Sequence, residues 1–137
     1  MRLLERSSVY ETEPVGAVPD QRDFLNAAVC VETDLEPVDL LAACKAIEHD
    51  MGRTAGPRHG PRAIDVDVLL AGDRVLISDQ LTLPHPELRN RRFVLVPVLE
   101  LQPALRLPDG TSLQDCLTSL PPGQRVSRVA SLAPVTG

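Results

Sequence analysis

Apolar and polar positions along this chain fall into stretches with distinct periods. Residues 3–12 read as a strand, closed by Pro14 and Gly16. A polar loop at 17–23 leads into residues 24–33, a mostly apolar run that predicts a well-buried strand. The two runs make a long-looped hairpin. Pro37 suits a first helical turn, with Glu36 and Asp39 near the positive end of the helix dipole. Leu40, Cys44, Ile47 and Met51 then recur as one helix face, and Gly52 is the expected C-terminal stop. Residues 64–71 read as a strand, with Ile64, Val66 and Val68 pointing one way and Asp65 and Asp67 the other. Gly72-Asp73 predicts a turn into a short strand at 75–77, and residues 81–86 are extended and proline-bounded. Residues 93–101 predict a helix with Pro97 confined to its first turn. Val126 and Val129 flank a last edge strand in a tail that is otherwise poor in core formers from 119 to 137.

Composition narrows the class. A chain of 137 residues suits one compact domain, and with 2% aromatics its core must be aliphatic. The net charge of −5 argues against a nucleic-acid groove or an anionic membrane as partner. Arg53, Arg58, Arg62, Arg89, Arg91 and Arg92 nevertheless fall in two short stretches and can build a local anion site. Cys30, Cys44 and Cys116 lie in apolar patterns without metal-ligand spacing, and read as small hydrophobes in a reducing compartment. No apolar run is long enough for a bilayer, and the first residues lack a signal-peptide core. The expectation is a soluble, cytoplasmic protein.

Candidate chemistry begins with Asp65 and Asp67. Two carboxylates on one strand face repel unless a cation sits between them, and hard oxygen ligands without His or Cys favour magnesium. A solvated polar face is the commoner outcome for a bare D-x-D. The neighbourhood shifts the balance, because Arg58, His59, Gly60, Pro61 and Arg62 immediately precede the pair. Anion-binding groups beside a cation-binding pair are what a metal–polyphosphate complex requires. His85 stands in a Pro-His-Pro frame that restricts its backbone. Asn26 interrupts an apolar strand two residues after Phe24, so its amide needs partners. A flat heterocycle stacked on Phe24 and Phe93 would supply them, and a local partner within the core would do so equally well. No Gly-rich phosphate loop of the G-x-x-x-x-G-K type is present, which disfavours a generic nucleotide kinase.

Four blocks in order resemble 6-hydroxymethyl-7,8-dihydropterin pyrophosphokinase. They are Ser7-Ser8-Val9-Tyr10-Glu11-Thr12-Glu13-Pro14-Val15-Gly16, then Asp23-Phe24-Leu25-Asn26-Ala27, then Gly60-Pro61-Arg62-Ala63-Ile64-Asp65-Val66-Asp67-Val68-Leu69, and Leu83-Pro84-His85-Pro86, with Arg91 and Phe93 beyond. The resemblance implies an α+β, ferredoxin-like sandwich with a mainly antiparallel sheet. It implies transfer of the two terminal phosphates of ATP to a pterin hydroxymethyl group, leaving AMP, in folate biosynthesis. Asp65 and Asp67 would hold two Mg2+ ions, with Arg53 and Arg62 catalytic beside them. Glu48, Arg53, Arg62, His85 and Arg91 would bind ATP. Thr12, Val15, Phe24, Asn26 and Phe93 would form the pterin slot. Small molecules are the implied partners, and family members are monomers.

The chain also departs from the family. Ala55 stands where a further basic residue is usual, the loop before Gly60 is shorter, and His59 replaces an aromatic. The family's opening strand, its Gly-Ser-Asn-Leu-Gly turn and the following helix are expected upstream of Met1, so the chain reads as a single domain over 1–137 that is incomplete at its N-terminus. Their absence would leave sheet edges unpaired and open to self-association. The alternative function is an inactive domain that only binds nucleotide or pterin, or associates through such an edge.

Overall fold

A computed structural model of the chain describes residues 1–12, 24–54, 65–123 and 125–130, of which 24, 51–54 and 130 are described as backbone positions. These residues form an α+β arrangement of short antiparallel sheets and three α-helices, in two compact units: residues 1–33 with 87–137, and residues 34–86.

In the first unit, β1 (Arg2–Arg6) pairs with β4 (Val29–Glu32), and β2 (Val9–Thr12) pairs with β3 (Phe24–Asn26). This is the predicted hairpin, cut into two sections. Leu3 faces Val31 but Glu5 faces Cys30, so Leu4 is an extra residue on the first strand. Arg6 faces Val29 and Tyr10 faces Asn26, so a second extra residue lies at the Ser7-Ser8 break. Ser7 holds that break together. Its N–H donates to the Ala28 carbonyl at 2.8 Å, and its Oγ accepts the Ala28 N–H at 2.8 Å while donating to the Ser8 carbonyl at 2.7 Å. A hydroxyl has taken the place of a ladder bond.

Strand β7 (Val126–Ala130) pairs antiparallel with the free side of β2, Tyr10 facing Arg128 and Thr12 facing Val126. The last strand expected from Val126 and Val129 therefore forms. Helix α2 (Arg92–Leu101) packs on the sheet strands, and α3 (Leu113–Ser119) packs against α2. Leu88, Leu95, Val98, Leu99, Leu107 and Leu113 are buried with Tyr10 as an almost wholly aliphatic core. The α3 helix was not legible from periodicity. It opens on a cap, the Ser112 hydroxyl accepting the Asp115 N–H, after a tight turn in which Gly110 takes φ 91°.

Two expectations are corrected in this unit. Residues 24–33 do not form a well-buried strand, since Leu25 and Val29 are exposed; α2 gives the hairpin a packed side, and those two side chains gain no cover from it. Pro97 is not in the first turn of α2 but at its sixth residue, and it is buried. Its missing N–H leaves the Phe93 carbonyl without the usual helical donor, a cost offset by burial of the ring.

In the second unit, α1 (Pro37–Thr54) packs Leu40, Leu41 and Cys44 onto Val66, Val68 and a hairpin of β5 (Leu76–Ile77) with β6 (Thr82–Leu83). Gly72 turns the chain with φ 57° just before β5, as expected. Residues 83 and 84 are joined by a cis peptide bond.

Three expectations are corrected here. Ile47 is 46% exposed rather than buried, and the partly buried residue beside it is Glu48. The helix runs past Gly52 to Thr54, since an interior glycine costs only about 1 kcal/mol in a helix that is otherwise anchored. Residues 65–71 are not a ladder strand. The backbone there is held instead by the Glu48 carboxylate, which accepts the Val66 N–H, and by the Leu69 and Ala71 carbonyls, which accept from the His85 and Arg74 N–H groups.

Candidate active site

Asp65 and Asp67 are both exposed, while Val66 is half-buried and Val68 is buried in the aliphatic core of the second unit. The alternation read from the sequence survives without a sheet, because the two valines are held by packing on α1, β5 and β6. Glu48 reaches this segment from α1 and accepts the Val66 N–H at 2.6 Å, between the two aspartates in the chain. Lys45 sits one turn earlier, with Nζ 3.4 Å from the Glu48 carboxylate. Burial raises the Cys44 thiol pKa, and the negative charges of Glu48 and Asp67 add to that shift against Lys45. All three cysteines are free thiols; Cys44 is buried, and Cys30 and Cys116 are half-buried rather than fully enclosed.

The first unit gathers a different set. Asn26 Nδ2 donates to Thr12 Oγ1 at 2.9 Å, so the side chain that needed a partner finds one across the hairpin. Thr12 is only 1% exposed. Arg91, the N-cap of α2, places its guanidinium carbon 5.9 Å from the centre of the Phe93 ring, within cation–π range. Phe24 lies in β3 opposite Thr12.

Val15 and Arg62 lie outside the described residues, as do Arg58, His59 and Ala55, and Arg53 is placed only as a backbone position in the last turn of α1. Thr12 with Asn26, and Arg91 with Phe93, are brought together in the first unit; Glu48 joins the Asp65–Asp67 segment in the second. His85 also belongs to the second unit, where its N–H donates to the Leu69 carbonyl at 2.9 Å.

One cluster escaped the sequence reading. Glu100 accepts hydrogen bonds from the Ser8 N–H (2.9 and 3.1 Å to its two oxygens), the Ser8 hydroxyl (3.1 Å) and the Tyr10 hydroxyl (2.5 Å). Partial burial opposes the Glu100 charge, but these donors and Arg128 outweigh it and hold the carboxyl below its usual range. Burial, then the Glu100 bond and charge, push the Tyr10 phenol up to about 12 against the opposing effect of Arg128. The signal was a lone acid inside the apolar run 93–101, which must find donors if the helix packs.

Comparison with known proteins decides the family. The sequence matches 7,8-dihydro-6-hydroxymethylpterin-pyrophosphokinase over residues 1–103. The chain belongs to this family. It is 42% identical over 120 residues to a 2-amino-4-hydroxy-6-hydroxymethyldihydropteridine pyrophosphokinase of Pseudomonas aeruginosa, covering 88% of this chain and 74% of that protein. The protein of the same name from Methylorubrum extorquens is 43% identical over 122 residues, covering 89% and 76%. The folic acid synthesis protein fol1 of Schizosaccharomyces pombe is 45% identical over 122 residues, 88% of this chain but 16% of that longer protein. Among the described residues, no helix is long and apolar enough to cross a membrane.

Proposed function

We propose that this pyrophosphokinase-family chain transfers a pyrophosphoryl group from ATP to the hydroxymethyl group of 6-hydroxymethyl-7,8-dihydropterin, in the cytoplasm and within a ferredoxin-like domain. The pterin oxygen bonds to the β-phosphorus, the bond from that phosphorus to the α-phosphate bridging oxygen breaks, AMP leaves with that oxygen, and the pterin hydroxyl loses its proton. Family membership supports the reaction, and one observation carries the site: Asp65 and Asp67 both face outward from a segment whose intervening and following valines are packed inward.

That pair fits magnesium by donor chemistry, being two hard carboxylate donors one residue apart. Among the described residues no three acidic, His or Cys side chains form a ready cage; magnesium would take its other ligands from water and phosphate. When bound, magnesium neutralises charge on the triphosphate. Asp65 and Asp67 hold it, and Arg53, Arg62, His85 and Arg91 hold the phosphates, with Glu48 keeping the aspartate segment in place. Thr12, Val15, Phe24, Asn26 and Phe93 form the pterin slot. Positioning and charge neutralisation account for most of such a transfer, so side chains of these kinds suffice.

The test is magnesium-dependent AMP formation from ATP that requires the pterin. Asp65→Ala is expected to lower turnover by roughly a hundredfold or more, the scale of losing one charge-stabilising group. AMP formed at an equal rate by Asp65→Ala would remove the site. The sheet edge at β1 is a proposed self-association surface, testable by the concentration dependence of molecular mass.

A further inference from the structure

The slot residues and the Glu100 cluster share the same two elements. Along β2 and the residue before it, Ser8, Tyr10 and Thr12 are all buried, while Val9 and Glu11 between them are only half-buried. Glu100 takes its hydrogen bonds from the first two members of that row, and Thr12, the third, accepts from Asn26. On α2, Phe93 and Glu100 are seven residues apart, which puts them on one face about two turns, or about 10 Å, from each other.

The direction of α2 along the hairpin follows from its C-terminal end. Gln102, the C-cap, has its amide nitrogen 3.9 Å from the Cys30 sulfur, and Cys30 faces Glu5 in the ladder. The helix therefore ends toward the β1–β4 section. Moving back from Glu100, which sits at Ser8 and Tyr10, its N-terminal end with Arg91 and Phe93 leads toward Thr12 and β3.

We infer that Glu100 is a positioning residue for pterin recognition, its carboxylate locking α2 to the Ser8–Tyr10 end of β2 so that Phe93 is set over the Thr12–Asn26 pair. This rests on the assignment of Thr12, Asn26 and Phe93 to the slot. A helix pinned at one end by four hydrogen bonds to a bulged strand cannot slide by a fraction of a turn, and a misplacement of about 1 Å is enough to weaken binding severalfold or more. Glu100 touches no substrate in this arrangement; it acts through Phe93.

The experiment compares Glu100→Ala, Glu100→Gln, Tyr10→Phe and Phe93→Ala for pterin KM, ATP KM and kcat, with folding checked by circular dichroism. Glu100→Ala is expected to raise the pterin KM by about tenfold and leave the ATP KM within about twofold. Glu100→Gln, which keeps an acceptor oxygen at the same reach, should recover most of the loss. Glu100→Ala added to Phe93→Ala should cost less than it does alone. If Glu100→Ala does not fold, Tyr10→Phe decides, with a selective rise in pterin KM supporting the inference and none overturning it. A folded Glu100→Ala with unchanged pterin KM, or with both KM values raised by one factor, overturns it. Phe93→Ala impaired while Glu100→Ala is intact removes the inference alone; Phe93→Ala with an unchanged pterin KM removes the slot assignment and the inference with it.

Discussion

Glu48 accepts the Val66 N–H at 2.6 Å, and so ties helix α1 to the backbone between the two outward-facing aspartates. The carboxylate does for residue 66 what a neighbouring strand would otherwise do. It also explains why Glu48, rather than the apolar Ile47 next to it, occupies the half-buried side of the helix. A packed valine with an unpaired N–H would be the greater cost.

Removing that acceptor is therefore expected to destabilise the second unit. Glu48→Ala should lower the unfolding free energy by about 1–2 kcal/mol in urea, the scale of a partly buried donor losing its partner, and should raise the magnesium concentration needed for half-maximal AMP formation. Glu48→Gln keeps an acceptor at the same reach and should behave close to the parent in urea. Equal stability of all three proteins would show that the bond contributes nothing.

Asp67→Asn separates chemistry from stability. Asp67 is exposed, so the unfolding free energy should move by no more than about 0.5 kcal/mol, as for ordinary surface changes, while magnesium-dependent turnover falls by roughly a hundredfold. A loss of turnover matched by a comparable loss of stability would contradict a metal-holding role.

Tyr10 is the sole tyrosine and the chain has no tryptophan, so near-ultraviolet tyrosinate absorbance reports it alone. Its midpoint is expected at about 12, and Glu100→Gln should bring it down, leaving the part due to burial. The sign of the linkage follows. A phenol whose folded pKa is raised contributes stability fully present below the unfolded value and lost as pH rises toward the folded one, so stability should fall from about pH 10 upward. Glu100 acts in the opposite range. Its folded pKa is lowered, so its contribution is present above the unfolded value of about 4.3 and disappears as pH falls through the folded one. Glu100→Gln should flatten that acid limb. An unchanged acid limb would show that the carboxylate charge is not linked to folding.

Leu95 is 0% exposed on α2, whereas Ile77 on β5 is 82% exposed. Leu95→Ala should cost about 2–5 kcal/mol by deleting a packed side chain and leaving a cavity. Ile77→Ala should lie within about 0.5 kcal/mol of the parent. Urea unfolding of both measures the contrast, and similar losses would show that the aliphatic core of the first unit is not centred on α2.

The local sequence alone specified helix α1, the two stretches that pair as the hairpin, the turn at Gly72 and the outward direction of Asp65 and Asp67, and it pointed to a last strand around Val126 and Val129, because each depends on near neighbours along the chain. The same periodicity brought Asn26 into view as a side chain in need of a partner, which Thr12 provides. Other features depended on groups far away in sequence. Glu100 meets Ser8 and Tyr10 across about ninety residues, and Val66 takes its acceptor from a helix rather than a strand. The position of Pro97, the exposure of Ile47 and the missing ladder at 65–71 likewise follow from what packs against each segment. Hydrogen-bond partners that are distant along the chain carry no periodic signature, so only the tertiary structure could choose them.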